Sequence, residues 1–312
     1  MAIVQVNDYR YPQGWADAAD GNERAHFYCQ KLEEGKIVSF NNIPFDFPEG
    51  DREFLLSQKQ SSFKGHKNIS YRPAKDLLRG AAEDDAELSR RLHEVMRNYS
   101  NQVIQFLTRF LAPYAPHWSL DFATFRPLQE QGRDLPLHKR NDLLHVDSFP
   151  SRPTHGGRIL RCFTNINPNE SRVWATTEGF ETLAERFALD AGLSTIARRA
   201  ASPAHALRKG VAPLLKAIGV KGADRSPYDQ FMLRFHDFLK ENADYQQKWE
   251  KIRLEFPPFS TWMVFTDSVP HAALSGQYAL EQTFIVPMLA MVVPQKAPIR
   301  VLESLCGTAL SN

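Results

Sequence analysis

The chain has 312 residues, of which 43% are hydrophobic and 24% are charged, a composition typical of globular proteins with one large or two small domains. The 38 basic and 36 acidic residues leave a net charge of +2, which gives no indication of a nucleic-acid partner. The three cysteines are widely spaced and form neither a disulfide framework nor a paired metal motif, which favours a reducing compartment. We find no signal peptide and no apolar run long enough to span a membrane, so we expect a cytoplasmic protein.

The first half of the chain predicts a short strand, a long helix and then a β-rich region. Residues 36–47 (KIVSFNNIPFDF) indicate a strand followed by a proline-marked turn. Residues 81–116 predict a helix that begins with acidic residues and ends at prolines. Short strands separated by turn residues are predicted at 118–128, 143–147, 158–168 and 172–178.

The second half predicts a helical insert and then a return to strands. Strands on both sides of an insert can pair into one sandwich or small barrel. We therefore predict a mainly β fold with flanking helices (α+β), in a single domain over residues 1–312. The expected parts are N-terminal strands and supporting helices at 1–116, a β core at 118–178 and 251–293, and a helical insert at 179–250.

The motif LLHVD places an imidazole and a carboxylate two residues apart, at His145 and Asp147. In a strand, side chains at positions i and i+2 lie on the same face. His145 and Asp147 would supply two of the three ligands of a facial triad, in which two histidines and one carboxylate bind Fe(II) and leave other coordination positions open. His271, at the start of a later predicted strand, is the best third ligand, with His138 and His155 as alternatives near the motif. By itself, however, HxD is more often a hydrogen-bonded polar pair.

Motifs for other common activities are absent from the sequence. There is no GxSxG, no P-loop and no GxGxxG after a predicted strand. The commonest hydrolase, kinase and dinucleotide-binding classes are therefore excluded.

Two segments resemble a known enzyme family, namely HVDSFPSRPTHGGRILRCFTNINP (145–168) and VPHAALSGQYALEQTFIVP (269–287). They resemble the Fe(II)/2-oxoglutarate-dependent oxygenases of the double-stranded β-helix (jelly-roll or cupin-like) fold. More narrowly, the chain resembles the Kdo hydroxylase family over most of its length. Kdo is 3-deoxy-D-manno-oct-2-ulosonic acid, the sugar that links lipid A to the core in the lipopolysaccharide of Gram-negative bacteria.

The resemblance implies the metal, the cosubstrates and the reaction. It assigns Fe(II) to His145, Asp147 and His271, with 2-oxoglutarate chelating this iron and O₂ as the second cosubstrate. The implied dioxygenase hydroxylates carbon 3 of Kdo in Kdo2-lipid A, giving the 3-hydroxy sugar (Ko), succinate and CO₂.

The far carboxylate of 2-oxoglutarate would need a cationic partner, because an unpaired buried carboxylate is costly. The superfamily usually places an Arg or Lys soon after the distal histidine, but here residues 280–284 read LEQTF and offer only the neutral Gln282. We favour Arg161, which lies mid-strand among apolar residues, with Arg126 second and Gln282 as a hydrogen-bonding partner. A purely structural arginine is the alternative.

Residues 198–225 form a basic stretch with a single acidic residue, Asp224, and apolar residues at helical spacing. The pattern favours contact with an anionic membrane surface or a phosphorylated glycolipid. A solvated face of an ordinary amphipathic helix is the alternative. The residues predicted for this contact are Arg198, Arg199, Arg208, Lys209, Lys216 and Lys221.

The sequence thus predicts a hydroxylase of Kdo2-lipid A that is cytoplasmic and peripherally associated with the inner membrane. No nucleic-acid partner is expected, and the oligomeric state is left open. Two alternatives remain. One is an oxygenase of the same chemistry that acts on a protein side chain or a small metabolite, and the other is a non-catalytic, cupin-like sugar-binding protein.

Overall fold

The computed structural model describes residues 3–15, 21–58, 68–80, 85–202 and 225–311. The strands in these ranges are β1 (Ile3–Gln5), β2 (Tyr9–Arg10), β3 (Gly14–Trp15), β4 (Ile37–Phe40), β5 (Ile69–Arg72), β6 (Leu77–Arg79), β7 (Ser119–Arg126), β8 (Arg158–Asn165), β9 (Arg172–Thr176), β10 (Ile252–Phe256), β11 (Thr261–Phe265), β12 (His271–Ser275) and β13 (Ala279–Val286). The α-helices are α1 (Gly21–Glu33), α2 (Glu49–Leu56), α3 (Ala86–Phe110), α4 (Phe180–Phe187), α5 (Leu193–Ala200), α6 (Pro227–Glu241), α7 (Ala243–Lys248) and α8 (Pro298–Cys306).

The strands form one large and one small sheet, besides the β2–β3 hairpin. The large sheet has the order β1-β4-β11-β8-β13-β7-β5-β6, and the small sheet has the order β10-β9-β12. Strands from before and after the helical insert alternate in both sheets, since β8 lies between β11 and β13 and β9 lies between β10 and β12. This interleaving of antiparallel strands confirms the predicted jelly-roll fold with flanking helices.

The two sheets face each other across an aromatic core. The rings of Phe256 in the small sheet and Trp262 in the large sheet stack with centroids 3.9 Å apart. Phe163 and Trp174 make a second contact between the sheets, edge to face at 4.9 Å. All four side chains are buried. Aromatic pairs of this geometry stabilise a sandwich beyond the area that they bury.

Helix α3 covers the outer face of the large sheet. Its buried residues Val95, Tyr99, Val103, Phe106 and Phe110 recur at helical spacing and join the core cluster beneath the sheet. The predicted helix is therefore confirmed, with a start that Asp85 fixes by accepting a hydrogen bond from the backbone N–H of Leu88 at 2.9 Å.

Helices α4 to α8 cover the outer face of the small sheet, and they share a hydrophobic cluster with it. This cluster joins Phe231 and Phe235 of α6 to Ala272 of β12, and it also includes Leu144 and Val146 of the HxD motif. Helices of the predicted insert thus pack directly behind the motif, while residues 203–224 lie outside the described residues. None of the described helices combines the length and the apolar character that crossing a membrane would require.

Candidate metal centre

Three buried side chains meet between the sheets: His145, Asp147 and His271. Each offers one ligand atom, and these atoms lie within 4.8 Å of one another. The Nε2 atom of His145 is 3.6 Å from Oδ1 of Asp147, and the two imidazole rings are 4.6 Å apart. Among the described residues, no other group of three His, Cys, Asp or Glu side chains has this arrangement. Two histidines and one carboxylate form the facial set typical of non-haem Fe(II) sites.

The HxD segment is held by isolated backbone hydrogen bonds. The predicted strand at 143–147 was wrong in its extent, because only His145 forms a bridge, and it pairs with His271. The two histidines exchange N–H···O bonds of 3.1 and 2.9 Å, and the N–H of Asp147 donates to the carbonyl of Thr266 at 2.8 Å. The segment turns away after this contact. The bridge alone sets the two imidazoles opposite each other, with Asp147 beside them.

Both imidazoles are held in the tautomer that a metal requires. Nδ1 of His145 donates to the carbonyl of Leu143 at 2.7 Å, and Nδ1 of His271 donates to that of Val269 at 2.9 Å. Since a carbonyl only accepts, Nδ1 carries the proton and Nε2 keeps its lone pair. Burial lowers the pKa of both imidazoles, so both are neutral at neutral pH. Neutral imidazole with a free Nε2 is the form that binds metal ions.

Asp147 carries a negative charge and forms an ion pair with Arg161. Burial by itself would raise the pKa of this carboxyl, but the guanidinium of Arg161 holds it well below its usual range. Oδ2 of Asp147 lies 2.9 Å from Nη2 of Arg161, and this ion pair offsets part of the cost of burying the carboxylate. Two neutral imidazoles and one carboxylate are the donor set that non-haem Fe(II) takes. The chemistry of the donor set therefore fits a divalent metal ion.

A chain of buried ion pairs borders the three side chains. Arg161 pairs with Glu281 at 2.8 Å as well as with Asp147, and Arg126 pairs with both Glu281 and Glu130 at 3.0 Å. Arg161, Arg126 and Glu281 line the same small cavity, of about 70 Å³, as the metal-binding candidates. The two arginines predicted to bind 2-oxoglutarate therefore lie at the site, but carboxylates of the protein already hold both of them.

Gln282 needs a correction, because it does not reach this cavity. Its Oε1 accepts a hydrogen bond from Ser100 of α3 at 2.7 Å, and its Nε2 donates to the carbonyl of Asp121 at 3.2 Å. Alternation along β13 directs Glu281 to the interior and Gln282 to the helix layer. The expectation that Gln282 binds the cosubstrate was based on the wrong face of the strand.

Arg172 is a cavity residue that the sequence reasoning missed. Its side chain is 3% exposed, lines the same cavity and donates to the carbonyl of Gly276. No carboxylate of the described residues forms an ion pair with it, and burial lowers its pKa to about 10. The alternation of side chains along SRVWATT could have identified Arg172, since it lies on the same strand face as Trp174. The ring of Trp174 stacks on that of His271 at 5.0 Å.

The remaining predicted residues lie away from the metal candidates. Among the reserve histidines, His138 pairs with Glu241 at 2.6 Å, and neither it nor His155 belongs to the cluster. Arg198 and Arg199 are exposed in the last turn of α5. The other predicted basic residues, Arg208, Lys209, Lys216 and Lys221, lie outside the described residues.

Side chains from the helical layer hold the HxD segment in place. Gln246 of α7 accepts from the N–H of Leu144 at 2.9 Å and donates to the carbonyl of the same residue at 2.8 Å. Nδ1 of His236 in α6 donates to the carbonyl of Val146 at 2.8 Å. These side chains provide the hydrogen bonds that a neighbouring strand would otherwise supply. The segment between the two candidate ligands is thus fixed from behind.

Truncation of Gln246 should loosen the metal centre. We expect Gln246→Ala to weaken Fe(II) or Co(II) binding about tenfold, because residues that orient metal ligands typically contribute 10- to 100-fold in affinity. Anaerobic metal titration measures this change. Gln247→Ala, at the exposed neighbouring position, is the matched control and should bind metal like the unsubstituted protein. Equal affinity for the two variants would contradict the positioning role.

Comparison with known proteins gives the family. The profile of the 3-deoxy-D-manno-oct-2-ulosonic acid (Kdo) hydroxylase family matches residues 15–309. The structure is similar to that of the Kdo hydroxylase KdoO, described as a non-heme Fe(II) α-ketoglutarate-dependent dioxygenase, in its apo form and in complex with α-ketoglutarate and Fe(III). In both cases the sequence identity is 31%, the match covers 100% of this chain and 98% of the other, and the TM-score is 0.81. The complex of KdoO with succinate and Fe(III) matches with 31% identity, 99% and 97% coverage and a TM-score of 0.80. No curated protein sequence matched the chain. The chain belongs to the Kdo hydroxylase family.

Proposed function

We infer that the chain is an Fe(II)- and 2-oxoglutarate-dependent dioxygenase that hydroxylates Kdo. The observation that carries this inference is the buried cluster of His145, Asp147 and His271 in a chain that matches the Kdo hydroxylase family over residues 15–309. At a finer level, the reaction we propose takes place at carbon 3 of Kdo within Kdo2-lipid A. Its products are the 3-hydroxy sugar, succinate and CO₂.

The chain's own residues would hold the metal and protect the reaction. Nε2 of His145, the carboxylate of Asp147 and Nε2 of His271 are the proposed ligands. With 2-oxoglutarate and O₂ bound, the iron supplies the oxidising chemistry that inserts one oxygen atom into a C–H bond. The hydrogen bonds from Nδ1 to backbone carbonyls keep both imidazoles neutral and correctly oriented. Trp174, buried and stacked on His271, excludes water from one side of the site.

Arg172 is the residue we favour for the far carboxylate of 2-oxoglutarate. A dicarboxylate that chelates iron through one end brings its second charge into the same buried cavity. Arg161 and Arg126 are engaged by Asp147, Glu281 and Glu130, whereas Arg172 has no such partner among the described residues. An incoming carboxylate would offset the cost of burying this guanidinium. The main role of Arg161 would then be to hold the carboxylate of Asp147 through their ion pair.

Peripheral contact with the anionic inner-membrane surface, from the cytoplasmic side, is a further part of the proposal. A glycolipid substrate keeps its acyl chains in the bilayer, so the enzyme must work at the membrane surface. The exposed Arg198 and Arg199 of α5 begin the basic stretch of the sequence and support this orientation. Such basic segments bind anionic lipid surfaces electrostatically.

Incubation of the protein with Kdo2-lipid A, Fe(II), 2-oxoglutarate and O₂ should add one oxygen atom to the glycolipid. Mass spectrometry of the product measures the gain, and fragmentation should locate it on a Kdo residue. Succinate should form in step with the product. A protein side chain or a small metabolite that is hydroxylated faster than the glycolipid would contradict the proposed substrate.

Binding experiments with metal and with 2-oxoglutarate distinguish the role of Arg172 from that of Arg161. We expect Arg172→Gln to weaken 2-oxoglutarate binding about 10- to 100-fold, the size of a charge-assisted hydrogen bond, with metal affinity little changed. Arg161→Gln should instead alter metal affinity, because its guanidinium lies against Asp147. Titrations with metal and with 2-oxoglutarate measure the two effects. The reverse pattern would assign the cosubstrate carboxylate to Arg161.

Vesicle sedimentation tests the membrane contact. The protein should sediment with vesicles that contain anionic lipid more than with neutral vesicles, and added salt should weaken the binding because the attraction is electrostatic. Replacing Arg198 and Arg199 together with glutamine should reduce the bound fraction. Equal binding to both kinds of vesicle would contradict this part of the proposal.

A further inference from the structure

A second, cation-rich cleft adjoins the candidate metal centre. A cleft of about 320 Å³ shares Arg161 and Glu281 with the metal cavity and is also lined by Phe122 and Arg152. A hollow of about 300 Å³ continues it, sharing Phe122 and Arg152 and adding Arg72. These volumes lie in the range of small-molecule sites. We call the two spaces together the Arg72–Arg152 cleft.

Two arginines from separate elements converge on one ring in this cleft. Arg72 ends β5, and the pairing of Tyr71 with Ala123 places it level with Phe122 of the neighbouring strand β7. Arg152 belongs to the loop that follows Asp147. The guanidinium carbons of Arg72 and Arg152 lie 4.5 and 4.1 Å from the centre of the Phe122 ring. Stacking of this kind orients a guanidinium while leaving its N–H groups available to a ligand.

The same loop ties the cleft to the metal candidates. Arg152 also lies over the ring of Phe149, at 4.4 Å, and Arg161 approaches that ring at 5.8 Å. Arg161 in turn lies against the carboxylate of Asp147. The cleft therefore begins beside the reaction centre, at the place where a substrate group next to the reacting carbon would lie.

Positive charge exceeds negative charge in the cleft. No carboxylate of the described residues pairs with Arg72, and the Nε atoms of Arg72 and Arg152 are both buried without a hydrogen-bond partner. The acid beside them is Asp121, whose Oδ2 forms an ion pair with Nη2 of Arg152 at 3.0 Å. Burial lowers the pKa of Arg152, and the charges of Arg161 and Arg72 lower it further, against the opposing effect of Asp121. This arrangement is typical of a site built for an anion.

We propose that Arg72 and Arg152 bind the carboxylate of the Kdo residue that is hydroxylated, which makes the Arg72–Arg152 cleft the determinant of specificity for an acidic sugar. This inference rests on the proposed function. In an oct-2-ulosonic acid the carboxylate is attached to carbon 2, directly beside carbon 3. A carboxylate anchored by two stacked guanidiniums therefore fixes which C–H bond faces the metal. A neutral sugar would leave Arg72 without an acidic partner among the described residues and would bind weakly.

Glutamine variants of the two arginines test the proposal. Arg72→Gln and Arg152→Gln should each raise the KM for Kdo2-lipid A at least tenfold, as expected for loss of a charge-assisted hydrogen bond. Hydroxylated product per succinate should also fall, because a poorly anchored sugar is missed by the oxidant. Arg253→Gln, which replaces an exposed arginine of β10 paired with Glu255, is the matched control and should leave KM unchanged.

Folding and cosubstrate binding are checked in the same variants. The weak visible absorption of the complex with Fe(II) and 2-oxoglutarate, recorded without O₂ or sugar, should match that of the unsubstituted protein in both. Arg152→Lys should recover part of the KM loss, since it restores the charge but not the planar fork. Loss of the absorption band, or a KM unchanged by either glutamine variant, would overturn the proposal.

Modified substrates identify the anion that the arginines bind. With the unsubstituted protein, methyl esterification of the Kdo carboxylate should raise the KM of the glycolipid as much as the Arg152→Gln substitution raises the KM of the unmodified glycolipid. Combining the ester with the variant should raise KM little further. Removing the lipid A phosphates should not change the increase in KM that each glutamine substitution causes. If that increase instead disappears, the arginines bind phosphate and the proposal fails. If the unsubstituted protein hydroxylates no Kdo glycolipid at all, the proposed function fails.

Discussion

The exchange of backbone hydrogen bonds between His145 and His271 is the constraint on which the rest of the site depends. It joins two segments that lie on opposite sides of the helical insert in the sequence, and it sets both imidazoles at one place. The carbonyls of Leu143 and Val269 then orient the rings. Because His145 forms a single bridge and no ladder, its segment needs support from behind, which Gln246 and the helical layer provide. The insert is thus part of the metal centre's scaffold.

Buried charge is distributed so that some cations are satisfied within the protein and others are not. Glu281 holds Arg161 and Arg126, and Arg161 also balances Asp147. Arg172 on one side of this network has no acidic partner among the described residues, and the Arg72–Arg152 cleft on the other side carries excess positive charge. Because positive charge in excess of its acidic partners favours an anion, we propose that anionic ligands bind at these two places. A dicarboxylate cosubstrate and an acidic sugar would satisfy the two sides separately.

Much of the fold and the cluster of metal candidates could be predicted from local patterns, whereas the ion-pair partners of the buried arginines could not. The two-residue alternation of side chains in a strand placed His145 and Asp147 together, and helical spacing predicted α3. The same alternation gave the wrong face for Gln282, because the sequence does not tell which face of β13 is covered by a helix. Arg172 was missed because its importance comes from the lack of a carboxylate partner, and pairing between distant residues is invisible in one sequence. The pairing of Arg161 with Asp147 was hidden for the same reason.

We propose that His145, Asp147 and His271 hold Fe(II) in a form that 2-oxoglutarate can chelate. The visible absorption spectrum, recorded while Fe(II) is added without O₂ to the protein in the presence of 2-oxoglutarate, tests this assignment. A weak charge-transfer band should appear, saturate at one iron per chain and be lost in His145→Ala and Asp147→Ala. The band should persist in His138→Ala, which removes an exposed histidine paired with Glu241. No band in the metal-loaded protein, or an undiminished band in His145→Ala, would contradict this assignment of the metal ligands.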